Sequence, residues 1–439
     1  MTLSAEPPAT SAGAPEPVRR DELTPTEAFR REASPRRGFV FFLVLAAVGA
    51  GAAQMSAALL TLTLKATALD AAAATTIISV SSAIAGILTL VALPVLGALS
   101  DRSRSRWGRR RPFLLLAMAA FLAGGTILVA APNVPLFVVA HLLITLGFVT
   151  TGVVTTALIA DQLPRDRRGP ASAFVSLSTA MGALVGIGIS QPFGAELVPL
   201  IGLPTVFAVI AVGLLFVVLR DPQFDQPRAR FDLKGLLGVF WVNPVRHPRF
   251  AAVFASRMLV FSGVAALNGY QAIYLLQRVQ LQPADLGGAI LLTVIVNVGI
   301  SLLVAPAIGK LSDRLDRRKP FIIAAAIILG IGLVVASTAT DFGFYLVACG
   351  IVALGQGVYF AVELALATRL VPDIDNPAKD LAIIKIADNL PVTIVAAVAP
   401  VLLAIGAGPA GPNFAALFIA GAVSAILGGL VILFIKGAR

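Results

Sequence analysis

The stretch GALSDRSRSRWGRRRPF at Gly97–Phe113 returns, shortened, as GKLSDRLDRRKPF at Gly309–Phe321, and each copy lies between two long apolar runs. Pro94, Gly97 and Asp101 match Pro306, Gly309 and Asp313 at an offset of 212 residues. The first copy then carries four extra residues, and Pro112, Gly147, Ala157 and Pro164 match Pro320, Gly355, Ala365 and Pro372 at an offset of 208. A register that holds on both sides of one insertion marks one structural unit used twice.

The composition says what kind of unit. With 58% hydrophobic residues, 13% charged residues and a mean hydropathy of +0.91, the chain is excluded from ordinary soluble domains. Runs of about 18 or more apolar residues read as helices crossing a bilayer, and their lack of alternation argues against strands. Twelve spans are predicted. The first six are Phe39–Leu64, Ala74–Leu99, Phe113–Ala130, Leu136–Ala160, Ala171–Phe193 and Val198–Leu219. The second six are Phe250–Leu276, Leu286–Ile308, Phe321–Thr338, Phe342–Leu370, Leu381–Ile405 and Asn413–Ile435. The expected organisation is a disordered cytoplasmic tail (1–38), a six-helix bundle (39–219), a cytoplasmic middle loop (220–249) and a second six-helix bundle (250–435). Within the middle loop FDLKGLLGVFWV at Phe231–Val242 reads as a short helix on the membrane surface, or as a plain connector.

Thirty of the 34 Lys and Arg residues fall in the tail, the alternate loops and the C-terminus that share one side. Lys65 and Arg278 fall on the other, and Arg257 and Lys385 lie within spans. This asymmetry predicts an integral cytoplasmic (inner) membrane protein with both termini cytoplasmic. Arginines facing an anionic leaflet account for the net charge of +11, so no nucleic acid is invoked. The lone Cys349 allows no internal disulfide, no metal set is apparent, and the first apolar run is too long for a signal peptide. An excess of arginine over lysine points to a bacterial source, and a monomer is expected. Gly182, Gly186 and Gly188 read as small residues for close helix packing.

G-x-L-x-D-R followed by a basic cluster, repeated after helices two and eight, resembles the signature of the major facilitator superfamily. The long loop SDRSRSRWGRRRPF, NPVRHPRF before helix seven, YQAIYLL at Tyr270–Leu276 and KDLAIIKIADNLP at Lys379–Pro391 resemble its sucrose and glycoside:cation symporter branch. The resemblance implies an all-α fold of two pseudo-symmetric six-helix bundles. It also implies a cytoplasmic gate in which Asp101 and Asp313 latch the halves together in the outward-facing state. A carboxylate at a helix end can face the free N–H groups of a neighbouring helix, which is a physical basis for such a latch. Gly97, Arg102, Gly108, Arg109, Gly309 and Arg314 join the gate, although the arginines also serve as topology anchors. By the repeat, Asp161 corresponds to Arg369 and Gly108 to Asp316, which suggests two charge-reversed pairings: Asp161 with the first-copy arginines, and Arg369 with Asp316 or Asp313.

Polar groups at membrane depth are few and costly, so they are functional candidates. Gln54, Asn268, Gln271, Tyr274, Asn297, Gln356 and Tyr359 are expected to line a central cavity, since helices one, four, seven and ten do so in the resembled fold. Interhelical hydrogen bonding is the competing role. Glu363, Lys385, Asp388 and Arg257 are proton-coupling candidates. A static Lys385–Asp388 bridge and an Arg257 that reaches back to the surface are the bland readings. His141 reads as incidental. Helix two lacks an acid for a sodium site of the melibiose-symporter kind, so the expected ion is H⁺. The solute is read as small, organic and sugar-like. A proton-driven exporter of amphipathic compounds and a non-transporting sensor or scaffold are the alternatives. No nucleophile motif, phosphate loop or cofactor signature argues for an enzyme.

Overall fold

The computed structural model describes residues 36, 38–103, 105–221, 247–315, 317–369, 377–408 and 411–434, with the side chains of 165, 364–369 and 377–385 outside the description. The predicted tail up to residue 35 and the surface helix at Phe231–Val242 lie outside the described residues. Among the described residues twelve helices are long and apolar enough to span a membrane. They are α1 Phe39–Leu69, α2 Ala74–Arg102, α3 Arg111–Ala130, α4 Val134–Gln162, α5 Arg165–Ser190 and α6 Leu197–Val218, followed by α7 Pro248–Gln277, α8 Pro283–Leu315, α9 Lys319–Thr338, α10 Phe342–Arg369, α11 Pro377–Ala404 and α12 Phe414–Val431. Helices suit these sequences because lipid offers nothing to a free backbone N–H or C=O.

Local chemistry sets the ends. Asn133 and Asn413 each accept a bond from the backbone N–H three residues on, capping α4 and α12. Pro112 and Pro320 open the first turns of α3 and α9, where no intrahelical N–H bond is lost. Pro94 and Pro306 sit within α2 and α8 at matching positions. Several helices begin earlier than hydropathy suggests: α5 starts at Arg165 rather than Ala171, because its polar first turns continue the helix beyond the apolar run.

Packing repeats with the sequence. Within the first half α1 packs on α5 and α6, α3 on α4 and α6, and α2 on α4; in the second, α7 packs on α11 and α12, α9 on α10 and α12, and α8 on α10. The halves meet through the equivalent pairs α2–α11 and α5–α8. Small residues allow the closest approaches. A methyl on Gly182 would lie 2.5 Å from the Gly51 backbone, and one on Gly186 2.6 Å from the Ala52 carbonyl. Gly188 differs from expectation, with nothing within 4 Å, because its face of α5 points away from α1. The first half also holds a π turn at Ala57–Thr61 of α1, against the second half.

The seam between halves is tight at the end opposite the basic loops. There Ser79 Oγ of α2 lies 2.6 Å from Tyr270 OH of α7, both buried. A methyl on Gly287 of α8 would meet Leu60 at 3.7 Å and Gln191 at 3.8 Å. Toward the basic end α5 and α8 lose burial, with Phe174, Leu177, Leu302 and Leu303 exposed.

Candidate functional site

A cavity of about 590 Å³ lies between the halves, lined by α1, α2, α4 and α5 on one side and α7, α8, α10 and α11 on the other. Gln54, Asn268, Gln271, Asn297 and Gln356 line it. Asn297 Nδ2 donates to Gln356 Oε1 at 3.1 Å, and Thr293 Oγ1 to Gln271 Oε1 at 3.4 Å. Met55, Phe148, Phe261 and Phe360 supply apolar wall.

Two expected lining residues are elsewhere. Tyr274 lies a turn beyond the cavity's closed end. Its hydroxyl donates to the carbonyls of Ala336 and Ala339 at the end of α9, and its ring packs among Tyr345, Phe414 and Phe418. Tyr359 is fully buried beside Phe261, because Gln356 and Phe360 occupy the cavity face of α10 and one residue turns a side chain about 100° away. Tyr270, His141 and Thr145 line the cavity and were not among the predicted lining residues. For Tyr270 the signal was present in its place beside Gln271.

The intramembrane charges converge in the second half. Arg257 of α7 donates through Nη1 to Glu363 of α10 and through Nε to Asp388 Oδ1 of α11 at 2.5 Å. Its guanidinium also stacks over Phe261, 5.0 Å from the ring centre. Arg257 therefore turns inward rather than back to the surface. Glu363 is buried, and its second oxygen has no partner among the described residues. Asp388 lines the cavity. The Lys385 side chain lies outside the described residues.

At the basic end of the first half, Arg109 pairs with Asp101 at 2.6 Å. The centre of the cluster is Arg110, which sequence reasoning missed. It is buried, and it binds Asp101 at 2.9 Å, Asp161 at 2.8 Å and Ser100 Oγ at 2.5 Å. Its repeat partner Arg318 is also buried, but Arg109 and Arg317 align at the same offset, so the sequence alone does not single out Arg110. A second missed residue, Asp221, follows α6 and accepts the backbone N–H groups of Arg110 and Arg111 at 2.5 and 2.9 Å, capping α3. Burial pushes the Asp221 carboxyl above its ordinary range, against the backbone N–H groups that favour its charged form. Gly108 has φ +106, and a methyl there would lie 2.4 Å from Asp221 Cγ, so glycine is required twice over.

Fewer pairings of the second copy lie among the described residues. Arg318 reaches Asp313 at 3.5 Å, and Arg314 is exposed. Asp316 and the Arg369 side chain lie outside the described residues. Gly97 and Gly309 do not make the close helix contacts expected of them: nothing lies within 4 Å of a methyl at Gly97, and only the Ala361 carbonyl at 4.0 Å of one at Gly309. Here the halves are apart at that level. All six ion pairs named join residues of one half. Among the described residues no three His, Cys, Asp or Glu side chains gather as a metal site.

Residues 39–305 and 274–439 match the family model of the Major Facilitator Superfamily. The Ectoine/proline transporter ProP of Corynebacterium glutamicum is 26% identical over 246 residues, covering 49% of this chain and 47% of that protein. Multidrug resistance protein MdtG of Klebsiella pneumoniae is 26% identical over 255 residues, covering 55% of this chain and 57% of that protein. The chain thus spans about half the length of the curated relatives it matches. Among solved structures the nucleoside transporter NupG superposes with a TM-score of 0.70 at 13% identity, over 90% of this chain and 98% of that one.

Proposed function

Since the chain belongs to the major facilitator superfamily, we propose that it carries a small, neutral, hydroxyl-bearing solute such as a sugar or glycoside across the cytoplasmic membrane by proton-coupled alternating access. It is a transporter and not an enzyme. The long first-copy loop supports placing it near the sucrose and glycoside:cation symporter branch. The observation that carries the solute class is the cavity: amides and hydroxyls from both halves, apolar wall between them, and a single carboxylate, Asp388, among the described lining residues.

The coupling assignment rests on charge balance. The described side chains Arg257, Glu363 and Asp388 hold two acids against one base, so one proton makes these three neutral together. Burying net charge is costly, which favours taking up that proton when the site is closed and releasing it when Asp388 meets water. With the basic loops cytoplasmic, as the charge asymmetry supports, the tight seam is external and the arrangement is inward-facing. Asp101 then keeps its partners within its own half, and the latch across halves belongs to the opposite state.

The test is flux into proteoliposomes of the full chain with an imposed pH gradient, using labelled methyl α-D-glucoside and sucrose. Accumulation that follows the gradient and collapses with a protonophore is expected. Glu363→Gln should lose gradient-driven accumulation at least tenfold while retaining exchange. A second reading, export of amphipathic compounds, is favoured by the apolar wall of Phe148, Phe261 and Phe360 and by the MdtG relative. Expulsion of tetraphenylphosphonium in the same vesicles, with no sugar entry, would establish it instead. Absence of any flux would leave the sensor or scaffold reading.

A further inference from the structure

The first half presents to the cavity a polar set whose hydrogen-bonding atoms lack partners among the described residues. Buried His141 of α4 has Nδ1 2.5 Å from Ser81 Oγ of α2, while Nε2 has no partner among the described residues. Thr145, one turn further along the same face of α4, is buried with its hydroxyl unpartnered. Its neighbours show that this is particular to the site. Thr150, Thr151 and Thr155 all turn their hydroxyls onto carbonyls of their own helix. Gln54 of α1, which packs against α4, is buried and has an unpartnered Oε1. All three side chains line the cavity.

The ring orientation assigns donors and acceptors. Ser81 has no acceptor other than Nδ1 among the described residues, and a buried hydroxyl hydrogen without an acceptor is costly. Ser81 therefore donates to Nδ1, which leaves the proton of the neutral ring on Nε2 as a donor. Gln54 Oε1 is an acceptor, and the Thr145 hydroxyl is both. We propose that His141, Thr145 and Gln54 form the first-half subsite for the solute, reading adjacent hydroxyl groups, each of which can accept from Nε2–H and donate to Oε1. This rests on the sugar reading above and narrows it, because a merely apolar cargo leaves all three atoms unsatisfied. Ser81 acts as a positioning residue that sets the tautomer.

The test is equilibrium binding of tritiated methyl α-D-glucoside to the full chain in lipid nanodiscs, which contain no competing glucoside detergent. Single deoxy analogues serve as competitors, since a hydrogen in place of the hydroxyl neither donates nor accepts. Wild type should bind the parent sugar and lose roughly tenfold for at least one analogue, the ratio expected for one hydrogen bond. His141→Phe should bind the parent about tenfold more weakly and no longer distinguish that analogue. His141→Gln, which keeps a donor, should restore discrimination. Thr145→Val provides the same readout if His141→Phe does not fold. Ser81→Ala should show a smaller loss in the same direction. Parent binding and discrimination unchanged within twofold in every variant would overturn the subsite and leave the sugar reading standing. Tetraphenylphosphonium binding with no sugar binding to wild type would overturn both.

Discussion

In the first half the buried cation, Arg110, sits at the end of the bundle among Asp101, Asp161 and Ser100, whereas in the second half the aligned Arg318 has Asp313 at 3.5 Å, and the dense cluster lies at membrane depth on Arg257. The helix packing of the halves is the same, so the difference is chemical. At the position matching Glu363, offset by 208, the first half has Thr155, whose hydroxyl is used up on the Thr151 carbonyl. One copy has kept fixed charge at its rim and neutral groups inside, and the other has placed ionisable groups inside. Under the proposed function, that division assigns proton handling to the second half, while both halves offer neutral groups to the solute.

The largest effect expected from that division is at Arg257. Arg257→Leu strands the buried Glu363 and the half-buried Asp388 and should destabilise the protein by about 3 kcal/mol, seen as a lowered unfolding temperature in nanodiscs. Neutralising all three groups together (Arg257→Leu, Glu363→Gln, Asp388→Asn) should recover most of that stability without recovering gradient-driven accumulation. Accumulation by the triple variant would break the comparison, because coupling would then lie outside the second-half cluster.

The number of spans and the duplication were legible because they follow from hydropathy and one insertion. The faces of the polar residues were less so. Gln271 and Tyr274 share a three-residue spacing, yet Tyr274 finds two carbonyls at the end of α9, a tertiary contact that no local pattern announces. Arg109 and Arg110 are adjacent and alike in the string RRR, and only the fold shows that Arg110 turns inward. Asp221 lies more than a hundred residues from the loop it caps, with nothing periodic to join them. His141 was dismissed as a lone polar residue, and its meaning depends on Ser81 across a helix interface.

A second comparison sets Gly108 against Gly97. Gly108→Ala forces a side chain into the left-handed region and against Asp221, and should lower stability by about 1–3 kcal/mol. Gly97→Ala points into open space here and should leave the melting point unchanged. If Gly97→Ala nonetheless stops flux, that glycine is needed when the basic ends come together. The two variants thus sharpen which features of the first-half loop serve this state and which serve its alternate.

The smallest effect concerns the bond that joins the halves. Ser79 spends its hydrogen on the Thr75 carbonyl at 2.7 Å, so across the seam Tyr270 is the donor and Ser79 Oγ the acceptor. Tyr270→Phe removes that donor while keeping the ring, and should shift the balance away from the closed external seam by about 1 kcal/mol, roughly fivefold. In a Cys349→Ser background, because Cys349 lines the cavity, a probe at Leu60→Cys, buried here against Gly287, can report the opening through its labelling rate with an impermeant maleimide. Labelling should quicken several-fold in Tyr270→Phe and in Ser79→Ala, and no further in the two together, because they share one bond. Independent, additive effects of the two substitutions would mean that each acts within its own half, and that the external seam is held by packing at Gly287 instead.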